Sequence, residues 1–205
     1  MTRSIYTVGH SNHLLEAFLD LLHARDIVCV VDVRSSPHSR YAVQFNREAL
    51  ERPLGREGIE YRWLGDLLGG RLVLPLAGES GRAFYQRLTS DPRFDRGLAE
   101  LEALGESRVV AVMCSEGDPL RCHRAIVIGK HLDERGWSVI HIRPDGGSLD
   151  QRAVRDELVV RARPVQANLW GGTPAEQALD PYAQQENIIA PRWQGVPDTE
   201  EEESR

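Results

Sequence analysis

Residues 114–124 read CSEGDPLRCHR, which puts two thiols, an imidazole and two guanidiniums, with carboxylates between them, into eleven positions. Three chemistries use those groups. A thiol beside positive charge and an imidazole becomes a nucleophile. Guanidiniums at the start of a helix hold phosphate or another anion. Thiols with histidine bind zinc, but the C-x7-C-H spacing of Cys114, Cys122 and His123 matches no common structural zinc motif and no second Cys/His pair completes a tetrahedron. No metal and no cofactor is therefore assigned. Asp118 is a natural N-cap and Pro119 suits the first helical position, so a helix is expected to begin there. Cys114, four residues before the cap, faces the positive end of that helix, where a thiol pKa falls. It is the candidate nucleophile, with an inert buried cysteine as the alternative. Arg121 and Arg124 are candidate anion ligands, Glu116 a polar contributor and His123 a proton carrier. Cys122 shares a helical face with Ala125, Ile126, Gly129 and Leu132 and is assigned to the core, with a resolving or ligating thiol as the alternative; Cys29, inside the run Ile27–Val31, is also core.

Other chemistry-bearing residues follow the remaining apolar runs. Gly9-His10-Ser11-Asn12 ends the first, Asp32-Val33-Arg34 the second, and Gly70-Arg71 comes shortly after the third. Asp32 would orient an imidazole, His10 or His123, and Arg34 would hold an anionic group. Ser11, Asn12, Gly70 and Arg71 complete the expected binding set; a turn cap for Asp32 and a plain Gly turn at 69–70 are the structural alternatives. The candidate catalytic residues are thus Cys114, His10, Asp32 and His123.

The elements that position these residues alternate. Strands are expected at Ser4–Val8, Ile27–Val33, Ile59–Leu64, Arg108–Met113 and Ser138–Ile142. Between them lie an amphipathic helix after Asn12, a short helix from Asn46 disturbed by Pro53, and helices at Gly81–Leu88 and from Asp91 to Gly105. GDLLGGR reads as a loop, Leu72–Leu76 as an unassigned segment, and Ser148 with Gln151 as a capping box for a last helix to Ala162. This pattern predicts an α/β fold: a single three-layer domain, residues 1–164, with a mainly parallel sheet of about five strands flanked by helices. Residues 165–205 form a C-terminal extension, expected to be an irregular tail anchored by residues such as Leu169 and Trp170, its last residues disordered. Ligands of such sheets collect at the carboxyl ends of the strands, where all four polar groups should meet.

Composition narrows the function classes. With 41% hydrophobic and 27% charged residues, the chain is that of a soluble globular protein, and no apolar run is long enough for a membrane span. Three cysteines and no signal-like N-terminus predict a cytoplasmic location. The net charge of −6 is mostly local to the tail from Asp198, leaving a nearly neutral body. Lys130 is the only lysine among 25 basic residues. Residues 34–71 hold arginines at 34, 40, 47, 52, 56, 62 and 71, interleaved with Tyr41, Phe45, Tyr61 and Trp63, a mixture suited to single-stranded nucleic acid. Their positive surplus is small for a nucleic-acid footprint.

YTVGHSN (6–12), DVRSSPHSR (32–40), QFN (44–46), GIEYRWLGDLLGGR (58–71) and MCSEGDPLRCHR (113–124) together resemble the family called domain of unknown function 488. The resemblance runs from the first strand to about Arg143 and implies a compact α/β domain with these motifs in one site; it implies no activity. A motif-level likeness to rhodanese-type domains, which place Asp-x-Arg after an early strand and a cysteine after a later one, implies sulfur transfer at Cys114. The spacing from Cys114 to Arg121 and Arg124 is longer than the loop of those domains. The leading expectation is a cytoplasmic enzyme, transferase or hydrolase, that binds an anionic, phosphate-bearing small molecule or nucleotide. The alternatives are nucleic-acid binding or processing and rhodanese-like sulfur transfer.

Overall fold

The β-branched runs of the sequence become the middle of a sheet, in a computed structural model that describes residues 3–162 and 180–191. The strands are β1 (Ser4–Gly9), β2 (Cys29–Asp32), β3 (Glu60–Trp63), β4 (Val110–Cys114), β5 (Ser138–Ile142) and β6 (Ser148–Asp150), in the order β3-β2-β4-β1-β5-β6. The first five run parallel, and β6 adds an antiparallel edge to β5. Among the described residues, eight helices accompany the sheet: α1 (Leu15–His23), α2 (Arg47–Arg56), α3 (Gly65–Leu68), α4 (Gly81–Thr89), α5 (Pro92–Ser107), α6, α7 (Gln151–Ala162) and α8 (Pro181–Ile189). α6 has a π-helical first part, Arg124–Gly129, and an α-helical second part, Lys130–Glu134. The α/β architecture is the one the alternating pattern predicts. No helix among the described residues is long and apolar enough to cross a membrane.

Side-chain alternation on the central strands separates two cores. Val110, Val112 and Cys114 of β4 pack with Leu68, Phe84, Leu98 and Ile128, on the face covered by α3 to α6. Ala111 and Met113 pack with Phe18, Phe45, Leu50 and Leu54, on the face of α1 and α2. β4 lies between β2 and β1, whose following helices cover one face, while α6 after β4 covers the other. Connections that diverge from neighbouring strands leave a crevice at their carboxyl ends. Gly9 narrows it on one side, because a Cβ there would stand 1.8 Å from the Glu116 carbonyl oxygen.

Several local expectations change. α2 runs through Pro53, α5 continues past Gly105 to Ser107, and GDLLGGR includes the turn of α3. Leu72–Leu76 is neither strand nor helix. Ser148 belongs to β6 and caps nothing; Asp150 Oδ1 instead accepts from the Ala153 amide at 2.7 Å. Gln151 is buried, where its amide donates to the Ala125 carbonyl at 3.1 Å and to the Tyr182 hydroxyl at 2.9 Å. Its carbonyl accepts from His141 Nε2 at 2.7 Å, and His141 Nδ1 meets Thr7 Oγ1 at 2.8 Å. The first of these bonds supplies a partner to a carbonyl at the start of the π-helical segment.

Within the tail read as irregular, residues 181–189 are helical. Asp180 caps α8 through the Tyr182 amide at 3.0 Å, with Pro181 in the first position. Tyr182 packs with Leu120, Val154 and Leu158, and Arg82 of α4 pairs with Asp180 at 3.1 Å. Leu169 and Trp170 lie outside the described residues.

Candidate active site

Asp118 and Pro119 start only a 3-10 turn, Pro119–Arg121, rather than the long helix. The chain then extends at Cys122, with φ −132° and ψ 139°, and the Cys122 carbonyl accepts from the amides of Ala125 and Ile126, both at 3.1 Å. Cys122 therefore occupies the N-cap of α6, the position the sequence assigns to the region of Asp118. Cys122 is buried in the core, as expected, and it also lines a cleft.

Cys114, the last residue of β4, and Cys122 converge on His123. The Nδ1 atom of His123 lies 3.7 Å from Cys114 Sγ and 3.9 Å from Cys122 Sγ, and the three atoms all lie within 4.8 Å of one another. His123 Nε2 is 3.2 Å from the Leu68 carbonyl, which can only accept, so Nε2 carries the proton and Nδ1 turns its lone pair to the sulfurs. Gly70 closes against the ring: a Cβ there would stand 3.3 Å from His123 Cγ. Gly70, expected in the binding set, thus lies against the imidazole.

The two sulfurs differ in charge preference. The neighbouring Cys122 sulfur, then burial, push the Cys114 pKa well above the ordinary thiol value. Burial opposes ionisation of Cys122 too, but Cys114, Arg124 and His123 outweigh it and hold the Cys122 pKa well below that value. The direction expected for Cys114 is thus reversed, because the adjacent Cys122 sulfur and burial both disfavour its charge. Cys29 is core, as expected.

The dithiol and imidazole form the floor of a cleft of about 410 Å³. Glu116, Gly70, Arg71 and Arg121, all expected site residues, line it, and Arg71 and Arg121 are exposed and form no ion pair among the described residues. Residues not among the expected site residues also line it: Ser35, Ser36, Ser115, Tyr85, Ile189 and Pro191. Burial, then the two nearby sulfurs, raise the Tyr85 pKa. Ile189 and Pro191 arrive with α8, whose Asp-Pro start repeats the signature at 91–92 and 118–119 and could have been read.

Five expected site residues lie elsewhere. Asp32 points to the α1/α2 side of the sheet, opposite Cys114, because the period of β2 aligns it with Val30. It orients no imidazole. Its carboxylate accepts from Arg34 Nε at 2.9 Å and Nη2 at 2.6 Å, from the Arg34 amide at 3.0 Å, and from the Tyr61 hydroxyl at 2.7 Å. Arg34 reaches the cleft wall, but its guanidinium is committed to Asp32, to the Phe45 carbonyl at 2.8 Å and to His10 Nε2 at 3.1 Å. His10 stacks on Phe45 at 4.5 Å, and its Nδ1 donates to the Ser11 carbonyl at 2.8 Å. Both ring nitrogens are occupied, so it moves no proton at the cleft. Ser11, in the left-handed region at φ 47°, and Asn12 bond to each other at 3.3 Å, outside the cleft. Arg124 is fully buried and donates to the Glu116 carbonyl and, at 2.8 Å, to that of Gly117. It braces the loop after β4 and holds no outside anion.

The aromatic residues that suggested nucleic acid are mostly committed inside the protein. Phe45 is core, Tyr61 serves Asp32, and Trp63 donates to the Arg34 carbonyl at 2.9 Å; only Tyr41, 85% exposed, presents a face to solvent.

Two buried histidines carry a pH prediction. Burial foremost, with the Arg34 charge for His10 and the Arg124 charge for His141, lowers both pKa values from 6.5 to about 4. Both are neutral in the fold, so the unfolded chain takes up protons first as pH falls. Their contribution is complete above pH 6.5 and is lost between 6.5 and about 4, on the order of 1 kcal/mol per pH unit for each. Urea midpoints measured across that window should drop steadily; a flat profile contradicts the assignment.

The fold and site define a class: an α/β protein with a dithiol and an imidazole at the carboxyl end of its central strand, facing a cleft with two open arginines. The model of the family described as Domain of unknown function DUF488 matches residues 14–130, more than half of the chain, and the chain belongs to that family. The match takes in four of the five motifs and starts after the GHS segment. No curated protein and no solved structure matches the chain.

Proposed function

We propose that the protein is an enzyme acting on an anionic, phosphate-bearing small molecule or nucleotide, with a cysteine nucleophile at the floor of the cleft. The observation that carries this reading is the placement of two sulfurs at 3.7 and 3.9 Å from one imidazole nitrogen in a cleft that Arg71 and Arg121 also line. A nucleophile, a base and a group that orients the base are the parts of covalent catalysis. Here they are a thiol, His123 Nδ1 and the Leu68 carbonyl. Backbone geometry favours Cys122, at the N-cap of α6, over Cys114.

His123 Nδ1 holds the proton released by Cys122 while the thiolate sulfur attacks the electrophilic centre of the substrate. A sulfur–substrate bond forms, the bond to the leaving group breaks, and the leaving group takes the proton from His123. Water or an acceptor hydroxyl then releases the sulfur by the reverse sequence, which gives hydrolysis or transfer. Arg71 and Arg121 hold the phosphate, with Ser35 and Ser36 as neutral donors beside them.

A thermal-shift panel of nucleoside phosphates and sugar phosphates tests the reading. At least one member should raise the melting temperature. Arg71→Ala and Arg121→Ala should each weaken its binding by about tenfold or more, since bonds to a charged group contribute about 1.5–3 kcal/mol. Both side chains are exposed, so stability should stay within about 0.5 kcal/mol. Absence of any stabilising ligand, or equal binding by the variants, removes the anion site.

A further inference from the structure

We infer that Cys114, Cys122 and His123 form a binding site for a zinc ion, three-coordinate from the protein and open to the cleft at its fourth position. This goes beyond the proposed thiol chemistry and does not rest on it, although it uses the same side chains.

The distances carry the inference. Zinc binds thiolate sulfur at about 2.3 Å and imidazole nitrogen at about 2.0–2.1 Å, which at tetrahedral angles separates sulfur from nitrogen by about 3.6 Å. The two sulfur–nitrogen separations are 3.7 and 3.9 Å, and all three donor atoms lie within 4.8 Å of one another. Both sulfur–nitrogen separations are thus within a few tenths of an ångström of the tetrahedral value.

The surroundings supply what a metal histidine needs. Metal-bound imidazoles donate their other nitrogen to a carbonyl or carboxylate, which fixes the ring and its tautomer. The Leu68 carbonyl already does this for His123, and Gly70 packs flat against the ring. The bare Nδ1 is directed at both sulfurs.

Donor chemistry selects the ion. Two thiolates and an imidazole suit zinc and exclude magnesium and calcium, which require oxygen. With both cysteines ionised the cluster is neutral, which suits a site 7% and 2% exposed at its two cysteines. The fourth position opens to the cleft of about 410 Å³, so it takes water or a ligand, as exchangeable zinc sites do. The side chains come from the end of β4 and the start of α6, so their C-x7-C-H spacing fits no short zinc motif. A zinc ion there would occupy both sulfurs and block their alkylation.

Chelator-treated full-length protein titrated with Co²⁺ tests the site. One Co²⁺ per chain should bind with sulfur-to-metal charge-transfer absorption and tetrahedral d–d bands, and one Zn²⁺ should displace it. Cys114→Ser, Cys122→Ser and His123→Gln should each lower affinity by at least about 100-fold, the upper end of what outer partners alone contribute. Cys29→Ser should leave it unchanged, and circular dichroism should show each variant folded. Iodoacetamide labelling of Cys114 and Cys122 should slow at least tenfold when zinc is bound. Absence of the charge-transfer band, or equal affinity in a Cys114→Ser/Cys122→Ser double variant, overturns the site. Labelling of the metal-free protein reports separately on the proposed nucleophile, so either idea can fail alone.

Discussion

Asp32→Ala is expected to destabilise the protein by about 3–5 kcal/mol, a large part of the 5–15 kcal/mol typical of a folded domain. The Asp32 carboxylate is 0% exposed and accepts from three donors of Arg34 and from Tyr61. Its removal leaves a guanidinium, itself only 4% exposed, with the Phe45 carbonyl and His10 as its remaining partners. The cost comes from stranding that charge, not from losing a net favourable pair. Asp32→Asn keeps the shape and should cost less, and Tyr61→Phe only about 1 kcal/mol. Urea denaturation followed by circular dichroism separates the three. An Asp32→Ala protein within 1 kcal/mol of the parent shows that Arg34 finds another anion or water. The effect should reach the cleft as well, because Arg34 forms part of its wall.

The second large effect concerns Cys122. In the metal-free protein, iodoacetamide should label Cys122 faster than Cys114, because Arg124 and His123 favour a thiolate at Cys122 while the neighbouring sulfur and burial disfavour one at Cys114. Cys29, 0% exposed, should stay unlabelled in the folded protein. Once a substrate is found with the ligand panel, Cys122→Ser should lower turnover by about 10³-fold or more, as loss of a nucleophile does. Arg71→Ala and Arg121→Ala should act mainly on substrate affinity. Mass spectrometry of peptides carrying each cysteine gives the labelling rates. Preferential labelling of Cys114 would return the nucleophile to the end of β4, and full turnover by Cys122→Ser would remove it from the reaction.

Much of the fold was legible because it is written in local periodicity. Runs such as Ile27–Val33 can only be strands buried on both faces, and regular alternation with amphipathic stretches forces parallel crossovers. The short edge strand β6 and helix α8 were missed for opposite reasons. Three residues hold too little pattern, whereas the Asp180-Pro181 start was present but lay in a segment whose composition suggested a tail.

The site was legible as a list of residue types, and only in part as a place. Of the polar residues expected to meet at the strand ends, Cys114, Glu116, His123, Arg121, Gly70 and Arg71 line one cleft, whereas His10, Ser11, Asn12, Asp32 and Arg124 do not. The sequence by itself determined the sheet and the edge at which the polar strand-end residues emerge, because these follow from alternation along one strand or one helix. Tertiary structure alone decided the grouping. Whether Asp32 and Cys114 share a face depends on the register between β2 and β4, in which Asp32 pairs with Met113. That register turns Asp32 toward Arg34, His10 and Tyr61 and leaves Cys114 facing the other way. Likewise the start of α6 is set by an extended residue at Cys122, which local propensity assigns to Asp118. That one displaced helix start brings the second thiol to the first, with the imidazole between them.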